Sequence, residues 1–459
     1  MGINVFWFRK DLRLDDNVGF NYCIKEQKPV LPVFVVDNST FSDMQAGKKK
    51  ALFLIECLKS LERELKEKGS KLYLFNGHPV DIMYKISKEV TIDSIIFNRC
   101  YEPLEINTER EIWDEFTNLG IHVKSYKDLL LHERGDILKK DKTSYSVFSY
   151  YYKKWRKQEK ESPKNTGDFE TVQFHTDSYF TLPENQISMQ IDVEKELAIF
   201  LDENLKNYQL DRDFPYKDAT SKLSCYLNTG KLSIRRLYNE VLSKGSSTDT
   251  QISDSAEAFL RQLAWRDFYH QILYHFPHVE TSAFHKRFNS INWENDNTLF
   301  DKWCAGKTGF PFVDAGMRQL NQEGWMHNRL RMIVASFLVK DLFIDWRWGE
   351  DYFSKKLIDH DLALNNGGWQ WSASTGTDSQ PWFRIFNPYS QSKRFDPEGI
   401  FIRKFVPELT NVNNQYIHQP DQMPLEYQKE CNCLIGKDYP EPIVNHAKRR
   451  EMAYRRKPR

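Results

Sequence analysis

INVFWF (residues 3–8) and PVLPVFVV (29–36) are two short, almost wholly apolar runs, and what lies between and after them decides the fold. Three more follow: KLYLFNG (71–77), SIIFN (94–98) and IHVKSY (121–126). Runs this short, rich in valine, isoleucine and phenylalanine, read as strands buried on both faces. Between the second and third, KKKALFLIECLKSLERELKEKG (48–69) carries apolar residues at three- and four-residue steps, with Gly69 as the stop. Strands alternating with helices predict a parallel, Rossmann-like α/β sheet with right-handed crossovers over residues 1–130. The turn after the first strand, RKDLRLDDN (9–17), has no glycine. The dinucleotide fingerprint is therefore missing, and no cofactor pyrophosphate is expected there.

Beyond this region the pattern changes twice. From 131 to 192 it fails: KKDKTSYSVFSYYYKKWRKQEKESPKNTGD mixes lysine, tyrosine and proline, and reads as a long connector crossing the surface. From Val193 to residue 459, helical periodicity dominates, as in LSIRRLYNEVLSK, SAEAFLRQLAWRDFYHQILYHF and NRLRMIVASFLVKDLF. The second domain is expected to be all-helical. The basic end, HAKRREMAYRRKPR (446–459), reads as a solvated terminus or as a nucleic-acid arm.

Composition bounds the function. The 459 residues suffice for two or three domains, and 65 basic against 64 acidic side chains mean that an anionic partner must be met by a local patch. Seven scattered cysteines suit reduced thiols, and Cys431 with Cys433 alone makes no metal site, so no metal is expected. The first residues hold no long apolar segment and no run approaches membrane-spanning length, so the expectation is a cytoplasmic protein with no membrane partner. Twelve Trp and 22 Tyr are either the tips of a large helical core or rings that stack on a cofactor or on bases.

Two stretches spend residues that no ordinary core would choose: GWMHNRLRM (324–332) and DHDLALNNGGWQWSASTGTD (359–378). Buried amides and charges are costly unless something satisfies them, so these residues either lie exposed or converge on a large polar-edged ligand. At 100° per residue, Gln262, Trp265 and Arg266 share one helix face. Asn328, Arg331 and Met332 share another, with Leu330, Ile333 and Phe337 facing the other way and Arg329 free to one side. The hydroxyl run TSKLS (Thr220–Ser224) either caps a helix or offers hydroxyls and N–H groups to a pyrophosphate. Trp293, Trp346 and Trp369 are individually consistent with packing.

Taken together, VFWFRKDLRLDDN at the start, the run Trp265–Leu409 and FDPEGIFIRKFVPEL near the end resemble the cryptochrome/photolyase family, most closely microbial class I cyclobutane pyrimidine dimer photolyases. The resemblance spans almost the whole chain. It implies an antenna-type α/β domain, a helical domain holding a folded FAD that is active as FADH⁻, and DNA carrying UV-induced pyrimidine dimers as the partner of a monomer. Residue by residue, Tyr208, Thr220, Ser221, Lys222, Leu223 and Ser224 correspond to phosphate-side contacts. Gln262, Arg266, Asn328 and Arg331 correspond to positions around the flavin and its adenine, Asp359 and Asp361 to the acidic pair at the ring edge, and Asn365 to the residue facing N5. Asparagine there is the photolyase choice; signalling relatives commonly carry aspartate or cysteine. Gln262, Trp265, Asn328, Arg329, Met332 and Trp371 correspond to the lesion pocket, and Arg212 and Arg384 to its basic mouth. Trp369, Trp346 and Trp293 correspond to the tryptophan chain that re-reduces the flavin. The implied reaction is the light-driven splitting of an extruded dimer by an electron that is afterwards returned.

One position departs from the class I pattern. Gln262 stands where that pattern has glutamate, as in (6-4) photolyases and animal-type cryptochromes; yet (6-4) enzymes have two histidines where this chain has Asn328 and Met332. The runner-up readings are thus a blue-light photoreceptor and a (6-4) photolyase. Val279 and Glu280 stand where the folate-antenna pattern has cysteine and lysine, so an antenna, folate or deazaflavin, stays unassigned.

Overall fold

The computed structural model describes residues 2–36, 48–174, 182 and 189–456. By packing, the chain divides into two units, Met1–Leu205 with Ser221–Pro277 and Lys206–Thr220 with His278–Arg459.

In the first unit, β1 (Ile3–Phe8), β2 (Val30–Val36), β3 (Tyr73–Asn76), β4 (Ile92–Asn98) and β5 (His122–Tyr126) form one parallel sheet in the order β3-β2-β1-β4-β5. All five apolar runs of the sequence are strands. Val5 sits beside Leu31 on one side and Ile95 on the other. One face packs Val5, Trp7, Val33, Phe75 and Phe97 against Ile82, Met83, Ile86, Ile112 and Phe116 of the crossover helices. Each such side chain contributes roughly 1.5–3 kcal/mol on burial, which is why β1 has no polar side chain except Asn4. The helix Lys48–Glu67 buries Ala51, Leu52, Ile55, Leu58, Leu61 and Leu65, and Gly69 at φ 72° ends it as expected.

The turn RKDLRLDDN has a structural task. Arg13 Nη2 donates to Asp128 at 2.8 Å, and Arg235 reaches both Asp128 (2.7 Å) and Asp16 (3.0 Å). All four side chains are buried. Burial pushes the Asp128 carboxyl up, but the two guanidinium groups outweigh it and hold it below its ordinary value. Arg13 also donates to the carbonyl of Gly230 at 2.8 Å. Removing one member of such a cluster costs about 3–5 kcal/mol, because a charge is left buried alone. These bonds hold the helix Ile234–Gly245 to the sheet, so the first helices after 193 pack with the α/β layer.

The stretch read as a connector is more ordered than its sequence suggested. Leu138 and Ser144 close a short antiparallel bridge, and Phe148–Lys157 is a helix with Phe148, Tyr151 and Trp155 buried. Trp155 Nε1 donates to the buried Asp267 at 2.8 Å on the 26-residue helix Thr250–His275. Residues 175–181 and 183–188 of the expected connector lie outside the described residues.

The second unit is helical. Leu320, Leu330, Val334, Phe337, Trp346, Trp369, Phe401 and Leu409 belong to one apolar cluster. Gly316 on the helix Pro311–Glu323 lets Leu330 and Val334 come close, since a Cβ there would lie 3.2–3.3 Å from them. In the basic end, His446–Arg455 is a helix whose side chains are mostly exposed, anchored by His446 Nδ1 against the buried Asp341 at 2.5 Å and by Arg449 on Glu294 at 2.7 Å. Among the described residues no helix is long and apolar enough to cross a membrane.

Candidate active site

In the second unit the helix Asn328–Ser336 begins at His327, whose imidazole accepts from the Arg329 N–H at 3.1 Å. Burial lowers His327 to about 4, so the ring stays neutral and its acceptor nitrogen stays available. Asn328 is exposed on the first turn, and its Nδ2 lies 3.8 Å from Met332 Sδ one turn on. Arg331 donates through Nε to the Met326 carbonyl (2.8 Å) and through Nη2 to both oxygens of Asp359 (3.1 and 2.8 Å). Its guanidinium is thereby held in one orientation. Arg329 is not free, as the helix projection suggested; it pairs with Asp213 at 2.7 Å and lies over Phe395.

Asp361 is the N-cap of the helix Leu362–Ala373, accepting from Leu364 N–H at 3.1 Å. Asn365 donates its Nδ2 to the Glu350 carbonyl at 3.0 Å, which leaves its Oδ1 as the outward end of the amide. Asn366, next in the chain, donates to Glu350 Oε1 at 3.0 Å and to the Val279 carbonyl at 2.9 Å. Burial pushes Glu350 up to about 8, so it is an uncharged acid at neutral pH. Glu350 and Asn366 were not singled out in the sequence. Only the regular i, i+1 amide pair hinted at them.

Trp369 and Trp346 are buried in the apolar cluster of this unit, with Trp293 half-buried against it. The rings against Trp369 include Trp303 (6.1 Å, 68°) and Phe353 (5.0 Å, 75°), and among the described residues its Nε1 has no hydrogen-bond partner. Trp371, two residues on, is half-buried and turned to another side of the helix. Tyr208 is buried beneath Arg212, whose guanidinium lies 5.6 Å from the ring, and Arg384 is exposed. Thr220 Oγ1 is buried and has no partner among the described residues.

In the first unit, Ser221–Ser224 leads into the helix Ser224–Asn228, which has Leu223 at its N-cap and no side-chain cap. Lys222 sits at φ 52° and Ser221 Oγ accepts from Leu223 N–H at 3.4 Å. On the helix Thr250–His275, Arg266 is buried with Nη1 on the Leu129 carbonyl at 2.6 Å and Nη2 without a partner among the described residues. Half-buried Gln262 donates back to the carbonyl of Ala258 at 3.3 Å, and among the described residues its Oε1 makes no hydrogen bond. Trp265 stacks on Phe148 with centroids 3.6 Å apart and planes 7° from parallel. Phe148 was missed because the connector carried no periodic signal strong enough to predict its helix.

In each unit by itself these donors suit a polar-edged ligand such as a flavin nucleotide. Among the described residues the Thr220 hydroxyl in the second unit and Arg266 Nη2 in the first have no partner, and leaving such a buried group unsatisfied costs about 1–3 kcal/mol. The free oxygen of Asn365 suits an N–H, and the carboxylate of Asp359, locked by Arg331, suits a polar ring edge. Residues 4–167 match the family model described as DNA photolyase, and residues 259–458 match the FAD binding domain of DNA photolyase. The chain belongs to the DNA photolyase family. It is 38% identical to the deoxyribodipyrimidine photo-lyase of Alkalihalophilus pseudofirmus over 472 residues, covering 98% of this chain and 97% of that one. Its structure is similar to a bacterial class III photolyase from Agrobacterium tumefaciens (TM-score 0.92, 34% identity, 99% and 97% of the two chains). It is also similar to the Synechocystis cryptochrome (TM-score 0.90, 29% identity, 100% and 99%). This membership makes the chain a photolyase-type enzyme with FAD as its cofactor.

Proposed function

We propose that the chain is a light-dependent DNA repair lyase that splits cyclobutane pyrimidine dimers. The observation that carries this is the Asn328–Met332 pair, in contact at 3.8 Å on the helix whose Arg331 is locked to Asp359. An amide and a thioether offer hydrogen bonding and soft packing to a pyrimidine pair; neither supplies the acid that the (6-4) reaction takes from histidine. When bound in its reduced form, FAD supplies the excited-state electron that opens the cyclobutane ring and takes it back. Tyr208, Thr220, Ser221, Lys222, Leu223 and Ser224 are assigned to its phosphates, with Arg266, Arg331, Asp359, Asp361 and Asn365 on its ring systems.

The chain's own residues orient and shield. Trp265 and Trp371 give planar faces for an extruded dimer, whose weak stacking and pairing make extrusion less costly than for intact bases. Gln262 can donate to a thymine carbonyl and accept from its imide N–H, but without a full charge. Arg212, Arg329 and Arg384 are assigned to flanking phosphates, which position the strand without reading its sequence. Trp369, Trp346 and Trp293 are assigned to flavin re-reduction, indole being among the more easily oxidised side chains.

The DNA partner, a monomeric state and a cytoplasmic location are part of this reading, as is the division into an α/β antenna domain (1–130), connector (131–192) and FAD- and lesion-binding domain (193–459). Seven free cysteines, six of them buried, suit a reducing compartment. With Val279 and Glu280 at the folate-type positions, no antenna is assigned.

A second reading, a blue-light photoreceptor, is favoured by Gln262 and by the likeness to the Synechocystis cryptochrome. One assay separates the readings. Reduced protein is mixed with oligonucleotides carrying a cyclobutane dimer or a (6-4) product and exposed to blue light. Restored thymines from the cyclobutane dimer alone are expected. Repair of neither lesion would leave the photoreceptor.

A further inference from the structure

Most of the lysines of Leu138–Lys157 are not used by the fold. This segment carries seven basic side chains and one carboxylate, Asp141, in a chain whose formal net charge is only +1. Its first half is a tight hairpin: Lys139 N–H donates to the Thr143 carbonyl at 2.8 Å, and Lys142 turns the chain at φ 62°. Asp141 is spent within that hairpin, accepting from the N–H and the hydroxyl of Thr143 at 3.0 and 2.7 Å. The second half is the helix Phe148–Lys157, fastened to the hairpin by Lys154 Nζ on the Leu138 carbonyl at 2.6 Å.

Of the seven basic groups, only two are committed. Lys154 makes that strut and Arg156 pairs with Glu257 at 3.0 Å. Lys139, Lys140, Lys142, Lys153 and Lys157 are exposed and carry no ion pair among the described residues. At 100° per residue, Tyr150, Lys153 and Lys157 fall on one stripe of the helix, and Tyr150 is 61% exposed in the midst of the lysines. An ordinary solvated face does not need a large ring there, and like charges this close repel one another. Lysines around an exposed aromatic suit the sugar–phosphate backbone of nucleic acid.

The patch is also held rigidly. Opposite that stripe, Phe148, Tyr151 and Trp155 are buried, and Phe148 stacks face to face on Trp265. Arg261, one turn before Trp265, lies over both Phe148 and Tyr152.

We propose that Leu138–Lys157 is a second DNA-contacting element, in which Lys139, Lys140, Lys142, Lys153 and Lys157 grip backbone phosphates of the duplex flanking the damaged site. The choice of DNA as the polyanion rests on the repair reading. The element adds affinity that is independent of sequence and of damage, while Trp265 behind it serves the lesion.

The test is the salt dependence of binding by the full-length, FAD-loaded protein, to undamaged duplex and to duplex with one cyclobutane dimer. With all five lysines changed to serine, the slope of log K against log salt should shrink by at least about 2, each lost phosphate contact being worth about 0.9. Affinity for both duplexes should drop by roughly tenfold or more at moderate salt. Their ratio, and turnover at saturating DNA, should stay unchanged. The matching five-arginine variant keeps the charge and should bind like the parent, which guards against a folding artefact. An unchanged slope in the serine variant overturns the proposal. So does loss of binding to anionic phosphatidylglycerol vesicles with DNA binding intact, which would assign the patch to a membrane surface. Failure of the repair reading looks different: no thymine is restored, whatever the lysines do.

Discussion

Gly349 lies on the helix Trp346–Lys356, three residues after Trp346, and faces the ring of Trp369. A Cβ built there would stand 2.5 and 2.6 Å from Trp369 Cζ3 and Cζ2, and closer still to Cη2. Carbon atoms in van der Waals contact sit about 3.5–4.0 Å apart, so Gly349→Ala needs a shift of roughly 1 Å or more. The indole has nowhere easy to go, since Trp303 and Phe353 bear on it edge to face and it is 2% exposed. Overpacking of this kind costs about 1–3 kcal/mol, and here the upper end applies. The better helix propensity of alanine returns about 0.5–1 kcal/mol, leaving a net loss of about 2 kcal/mol. Urea unfolding with a single probe should show it as a lower midpoint at unchanged slope. Trp369→Phe removes the outer carbons that clash, so the two changes together should be less damaging than their sum, with a coupling of about 1–2 kcal/mol. Because Trp369 is assigned to flavin re-reduction, Gly349→Ala should also slow photoreduction of the oxidised, FAD-loaded protein. A Gly349→Ala protein as stable as the parent, or additive with Trp369→Phe, would refute the packing argument.

Glu350, pushed up to about 8 by burial, binds a proton in the folded state that the unfolded chain has lost. Its contribution is therefore present at low pH and disappears as pH rises from about 4.3 to about 8. Glu350→Gln keeps the acceptor for Asn366 and removes that titration, so it should gain on the parent between pH 5 and 9, on the order of 4 kcal/mol; equal urea midpoints at pH 9 would contradict this. His327 behaves oppositely: with its folded value lowered to about 4, its stabilisation is complete above about 6.5 and declines as pH falls through that window. His327→Asn keeps an N-cap acceptor and should lose about 2 kcal/mol less than the parent between pH 7.5 and 5, read from paired urea curves. Gln262→Glu should raise the repair quantum yield by supplying a charged hydrogen bond at the pyrimidine edge; an unchanged or lower yield would sink that account.

Much of the site was visible in one dimension because helices carry periodicity into space. Asn328 and Met332 are four apart and touch; Asp361, Asn365 and Trp369 ride one helix at the same interval. What escaped were contacts between elements distant in the chain. Phe148 stacks on Trp265 across 117 positions, with only the spacing of Phe148, Tyr151 and Trp155 to hint at a helix in a lysine-rich run. Arg329 projected as free until Asp213, from a turn more than a hundred residues earlier, closed on it.

The parallel sheet and the helical second half were settled by local pattern, apolar runs of strand length and a period of 3.6, while amides and guanidinium groups where a core would have leucine pointed to a polar-edged ligand that the family resemblance made a flavin. Their physical basis is short-range, since burial and propensity act residue by residue along the chain. Tertiary structure alone decided which charges cancel, as in Asp16, Arg13, Asp128 and Arg235, and which stay available, as in the five lysines of the hairpin and its helix. It also decided that Glu350 is an acid and His327 a neutral base. Desolvation and pairing depend on neighbours brought together by folding, and no spacing along the chain records them.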